Sequence, residues 1–94
     1  MTDWKKLEDS DDWLKRLKVF LHTGNWKKAE DDDCWLLRLE AFRHTKNWTK
    51  AENDSSYYIR LEAFRHRRNW KKALNDENEI IKNEAKLYLG ISDD

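Results

Sequence analysis

Tryptophan returns at a fixed interval along this chain: Trp4, Trp26, Trp48 and Trp70 are each twenty-two residues apart. Self-similarity at so short a period is the mark of a repeat architecture, in which a single unit cannot bury its own apolar face and must pack on a neighbour. A basic stretch with a small apolar residue follows each indole: Lys5-Lys6-Leu7, Lys27-Lys28-Ala29, Thr49-Lys50-Ala51 and Lys71-Lys72-Ala73. Next comes an acidic, turn-forming cluster, such as Glu30-Asp31-Asp32-Asp33 or Glu52-Asn53-Asp54-Ser55-Ser56. A longer segment closes the unit, and those at 35–44 and 57–66 are nearly the same string. The units run 3–24, 25–46, 47–68 and 69–90, with 91–94 as a tail, and together form a single repeat domain over 1–94.

Proline is absent, and the two glycines, Gly24 and Gly90, fall at the ends of long segments, where a helix C-cap belongs. Lys46 and Arg68 stand at the equivalent sites of the middle units. They suit a helix C-terminus electrostatically but not a left-handed cap. Asp, Asn and Ser are poor in helix interiors and good at N-caps. Each unit is therefore expected to hold a short helix of about two turns starting near the Trp, a tight turn, and a helix of about three turns. The fold class that follows is all-α, an α-solenoid of four 22-residue helix–turn–helix repeats. The alternative is an antiparallel four-helix bundle of continuous helices, which places each acidic cluster mid-helix at a cost in propensity.

At the α-helical period, Trp35, Leu39 and Phe42 form one stripe and Leu37 and Ala41 a second, almost opposite. Tyr57, Leu61 and Phe64 stand in the same relation to Ile59 and Ala63. Two stripes predict a helix held between neighbours on both sides. The outer units differ: Lys15 and Lys18 replace Leu37/Ile59 and Glu40/Glu62, and Asn83 and Lys86 replace a leucine and a phenylalanine. Polar substitutions of this kind suit terminal repeats.

The pairs Leu37-Arg38, Ile59-Arg60 and Ile81-Lys82, each followed by Ala41, Ala63 or Ala85, together with Ala73-Leu74-Asn75-Asp76 and Leu89-Gly90, resemble HEAT-type repeats. The likeness is to the short variants of the phycobilisome-lyase and leucine-rich-variant groups. The units here are shorter than usual HEAT repeats. The resemblance implies an inter-repeat ladder of Asp32, Asp54 and Asp76 with Arg38, Arg60 and Lys82.

Forty per cent of the residues are charged and 38% hydrophobic, a balance that by itself points toward disorder. Six Trp, three Tyr and three Phe supply the large apolar side chains that disordered chains lack. Nineteen basic and nineteen acidic residues cancel, so there is no global pull toward nucleic acid or membrane. No apolar run is long enough for a membrane span or a signal-peptide core, and no membrane partner is expected. One cysteine, Cys34, excludes an intramolecular disulfide and fits a reducing compartment; the expected location is cytoplasmic.

His22, His44 and His66 share one repeat position, with Tyr88 in the fourth unit. They are expected to close the long helix and pack at the inter-repeat seam rather than to bind metal. Cys34, beside Asp31, Asp32 and Asp33, reads as an adventitious free thiol. The acidic runs read as solvated turns, and the sequence carries no phosphate loop, nucleophile motif or zinc spacing. No enzyme activity and no cofactor are expected.

The candidate partner-binding residues are Trp35, Tyr57 and Tyr58 on the long helices and a basic strip of Arg43, Arg65, Arg67, Arg68, Lys71 and Lys72, joined by Lys46. The four Trp of the short helices are expected to anchor those helices to the long ones. The leading function is a non-catalytic module presenting a rigid helical-repeat surface to another protein, as adaptor, scaffold or small inhibitor; self-association is compatible with it. Nucleic-acid backbone binding through the basic strip is the alternative. Near-identical interior units also fit an engineered repeat with no native partner, whereas Cys34, Arg67-Arg68 and the divergent last unit fit a duplicated gene.

Overall fold

The computed structural model describes residues 3–91. Among them eight helices alternate short and long: α1 (Trp4–Leu7), α2 (Trp13–Thr23), α3 (Trp26–Ala29), α4 (Trp35–Thr45), α5 (Trp48–Ala51), α6 (Tyr57–Arg67), α7 (Trp70–Ala73) and α8 (Glu79–Leu89). The fold is all-α, and every 22-residue repeat is a helix–turn–helix, α1 packing on α2, α3 on α4, α5 on α6 and α7 on α8. Each acidic cluster lies between two helices, not inside one.

The short helices have four residues each, one turn where about two are expected. The helix tightens as it ends: in the second repeat the amides of Asp31 and Asp32 bond three residues back, to the carbonyls of Lys28 and Ala29. An aspartate then turns the chain into the long helix. Asp32 Oδ1 accepts from Cys34 N at 2.9 Å, as do Asp54 from Ser56 N and Asp76 from Asn78 N. A carboxylate bonding two residues onward competes with helical bonding and so marks the break.

Every long helix has eleven residues and closes on a left-handed residue: Gly24 (φ 73), Lys46 (φ 62), Arg68 (φ 55) and Gly90 (φ 70). The expectation that Lys46 and Arg68 are unsuited to a left-handed cap is overturned. The repeat requires the same reversal at all four sites, and the two cationic residues take it despite a crowded Cβ. Their positive charge lies at the negative end of the helix, which offsets part of the cost.

The chain divides into two compact units, Met1–Lys46 and Asn47–Asp94, each holding two repeats. In the first, Phe20 of α2 is buried with Trp26, Ala29, Leu37 and Ala41 of the following repeat, and Leu17 and Cys34 close the cluster. In the second, Leu61 and Phe64 of α6 meet Trp70, Ala73, Ile81 and Ala85, with Leu74 beside them. Residues forty-four apart occupy matching places in the two cores, with Leu37 of the first replaced by Ile81 in the second, so each unit packs one repeat on the next with nearly the same side chains. Both stripes of α4 are buried at Leu37, Leu39, Ala41 and Phe42, but Trp35, at the first position of the helix, is 42% exposed and Tyr57 40%. The stripe therefore begins one turn later than its aromatic head. Lys15, Lys18 and Asn83 are exposed, as suits polar substitutions in the outer repeats.

A polar pair crosses each two-repeat core. Arg16 Nε and Nη2 reach the two oxygens of Asp32 at 2.9 and 3.0 Å, and Arg60 holds Asp76 at 2.8 and 3.1 Å. The third nitrogen of each arginine, Nη1, ties the turn of its own repeat, Arg16 to Ser10 O and Arg60 to Asp54 O. Asp32 is thus bridged from Arg16, while Arg38 donates to the carbonyls of Asp32 and Asp33 in its own turn. Lys82 pairs with Glu79 on its own helix.

Lys46→Gly and Arg68→Gly should each raise unfolding stability by about 1 kcal/mol, since a non-glycine left-handed residue costs on the order of 1–3 kcal/mol and glycine's extra unfolded-state freedom returns part of it. Chemical denaturation of the two variants checks this. Burial pushes the Asp76 carboxyl up, but the bonds from Arg60 and from Asn78 N–H and the nearby positive charge outweigh it, leaving the group below the usual carboxylate range. Its stabilisation is therefore fully present above the unfolded carboxylate value of about 3.9 and is lost as pH falls through the lower folded value. The stability gap between the native chain and Asp76→Asn should be constant from pH 5 to 7 and should shrink below about pH 4, as followed by urea unfolding.

Candidate functional site

The residues that repeat most visibly do internal work. Trp26, Trp48 and Trp70 are buried, and each lies flat against a ring eighteen residues later in its own repeat: His44 at 4.1 Å, His66 at 4.2 Å and Tyr88 at 4.4 Å between centroids. Trp4 and His22 stack in the same way at 4.1 Å. The histidines thus stack within their own repeat, at the end of its long helix. Among the described residues no group of three or more His, Cys, Asp or Glu side chains is arranged to hold a metal ion. Cys34 is a half-buried free thiol at the N-cap of α4.

The acidic runs are not solvated throughout, contrary to expectation. Glu8, Glu30 and Glu52, the first acid of each run, are buried. Glu8 accepts from Asn25 Nδ2, Thr23 Oγ1 and Lys28 Nζ at 3.2–3.3 Å. Glu52 accepts from Asn69 Nδ2 and Lys72 Nζ at 3.2 Å and from Arg67 Nη1 at 2.9 Å. Burial without partners would be expensive for a carboxylate; for Glu8 and Glu52 the end of their own long helix (Thr23, Arg67) and the next repeat (Asn25 and Lys28, Asn69 and Lys72) supply them. Leu74 stands at this position in the fourth repeat, and that apolar substitute is the sequence signal that the site is interior.

These carboxylates thin out the basic strip. Arg67 and Lys72 converge on Glu52, Arg65 is bidentate to Glu84 at 2.8 and 3.0 Å, and Arg43 pairs with Glu40 at 3.5 Å. Among the described residues, Arg68 and Lys71 have no ion pair. A strip of six cations thus presents far less free charge than its sequence suggests.

Apolar surface is left at the start of the long helices. In the first unit Trp13, Leu14, Trp35 and Leu36 are each 42–45% exposed, and Leu21 is 59% exposed. Trp13, Leu17 and Leu21 form a stripe at i, i+4 and i+8 on α2, and with Leu36, Leu37 and Glu40 of α4 they line a groove of about 240 Å³. In the second unit Tyr57 and Tyr58 meet edge to face at 5.9 Å, Tyr58 is 53% exposed, and Ile80 is 56% exposed. Leu17, Leu21 and Leu36, which line the groove of the first unit, are not among the candidate residues read from the sequence. The groove's signal is Leu21, an apolar residue where Arg43 and Arg65 stand in the next two repeats.

The chain matches no protein-family model, no curated protein and no solved structure. No helix among the described residues is long and apolar enough to cross a membrane.

Glu52→Gln keeps the shape of the buried side chain but removes the charge that Arg67 and Lys72 share. Stability measured by urea unfolding should fall by about 2 kcal/mol, since buried hydrogen bonds to charged groups contribute roughly 1.5–3 kcal/mol.

Proposed function

We propose that this protein is a non-catalytic binding module whose partner is an amphipathic helix of another protein, seated in the groove between α2 and α4. The observation that carries the reading is the stripe of exposed Trp13 and Leu21 with half-buried Leu17 between them, lining that groove together with exposed Leu36. Eight residues of helix span about 12 Å, room for about two turns of a partner laid along it. The ends of the groove carry opposite charge. Asp11, Asp12 and Asp33 precede the two helices, and His22, Arg43 and Lys46 lie in or after their last turns. A helix running antiparallel to α2, with acidic residues early and basic residues late, meets both ends favourably.

The wider reading is a HEAT-like α-solenoid acting in the cytoplasm. Matching cores in the two units and the Arg–Asp pairs between successive repeats support the stack, and the free thiol fits a reducing compartment. Backbone-tracking nucleic-acid binding is the weaker reading, because Arg65, Arg67 and Lys72 already have carboxylate partners.

A Leu21→Glu, Leu36→Glu double variant tests the proposal, since both side chains are exposed and their replacement leaves the core intact. The expected result is native-like helicity and melting with partner capture reduced at least tenfold in cross-linking against the unmodified chain. Capture of the same proteins with equal yield by both forms would overturn it.

A further inference from the structure

The second unit carries a cleft that the proposed protein-binding role does not use. Arg65, Arg68, Trp70 and Tyr88 line it, around a space of about 380 Å³. Tyr88 lies parallel to Trp70, with 2° between the ring planes, and is nevertheless 64% exposed. One face of the phenol is therefore covered by the buried indole, and the other is open to solvent. Arg65 forms one wall with its guanidinium already bidentate to Glu84. Arg68 forms the other; it is exposed, and among the described residues it has no ion pair. The comparable positions of the first unit, Leu21, Gly24, Trp26 and His44, keep the stacked pair but hold neither arginine.

A rigid, one-sided π surface beside an uncommitted guanidinium suits a ligand that couples a flat ring to an anionic group. Base stacking on a side-chain ring tolerates any base, and a guanidinium binds phosphate through paired N–H donors. The geometry points to a nucleoside monophosphate site in this cleft, with the base on the open face of Tyr88 and the phosphate on Arg68. Glu84 is an opposing charge on the same side, and it is already paired with Arg65. Tyr88 rests on a buried Trp70 and costs little further ordering when a base arrives. The ligand is a single nucleotide, free or at a strand end, and not a tracked backbone.

NMR titration of the labelled full chain with AMP and with UMP tests the assignment. Saturable shifts are expected at the Tyr88 ring, the Trp70 indole N–H and the Arg68 Nε–H, with inorganic phosphate binding at least tenfold more weakly. Arg68→Gly relieves a left-handed residue, so the fold is retained, and nucleotide affinity should fall at least tenfold. Tyr88→Leu should lose the preference for nucleotide over phosphate. The proposal is overturned by an absence of saturable shifts, by equal affinity in Arg68→Gly, by phosphate binding as tightly as AMP, or by phosphotyrosine binding more tightly than either nucleotide.

Discussion

Each repeat is organised by the indole at the head of its short helix. A one-turn helix cannot stand alone, because nucleation fixes several residues in return for very few hydrogen bonds. Burying a tryptophan removes roughly 150–250 Å² from water, worth about 5 kcal/mol at ~25 cal/mol per Å². That single contact exceeds anything the four residues of the short helix gain from their own backbone. The ring stacked on it, His22, His44, His66 or Tyr88, is supplied by the far end of the long helix of the same repeat. The indole therefore fixes both ends of the hairpin.

Apolar burial sets how much stability a repeat has, and the polar contacts set its register. Phe20 or Phe64 against the following Trp, Ala and Leu or Ile would tolerate a small slip. Glu8, Glu52, Asp32 and Asp76 would not. Removing a partner from a nearly buried charge costs on the order of 3–5 kcal/mol, so a displaced repeat would be penalised at two sites at once. The carboxylates and their Asn, Lys and Arg partners thus discriminate among packings that the hydrophobic contacts treat alike.

The repeat length, the two helices per unit and the long-helix core were legible because each leaves a periodic trace: Trp every twenty-two residues, an aspartate-rich break, and apolar residues at helical spacing. Burial of Glu8 and Glu52 was not, since an acidic run reads as solvent-facing unless the lone Leu74 is given weight. The left-handed Lys46 and Arg68 were hidden for a related reason. Residue preference argues against that conformation, and the periodic chain path imposes it anyway. Among the candidate binding residues, exposure of Trp35, Tyr57 and Tyr58 agrees with their place in the first turn of a helix. The ion pairs that occupy Arg65, Arg67 and Lys72 depend on which carboxylate lies nearby in three dimensions, a relation that spacing alone does not encode.

The partners of the polar contacts sit at constant offsets: sixteen residues from Arg16 to Asp32 and from Arg60 to Asp76, and seventeen and twenty from Glu8 or Glu52 to the next Asn and Lys. An in-frame gain or loss of one whole interior repeat would leave every such offset intact, whereas an insertion of one or two residues would break several together. The fourth repeat departs from this pattern, with Leu74, Lys82, Asn83 and Lys86 where the earlier repeats place Glu, Arg, Leu and Phe toward the next repeat. Unequal crossing-over inside the array would accordingly yield folded products of new length, so length itself is a trait this architecture can vary at low cost.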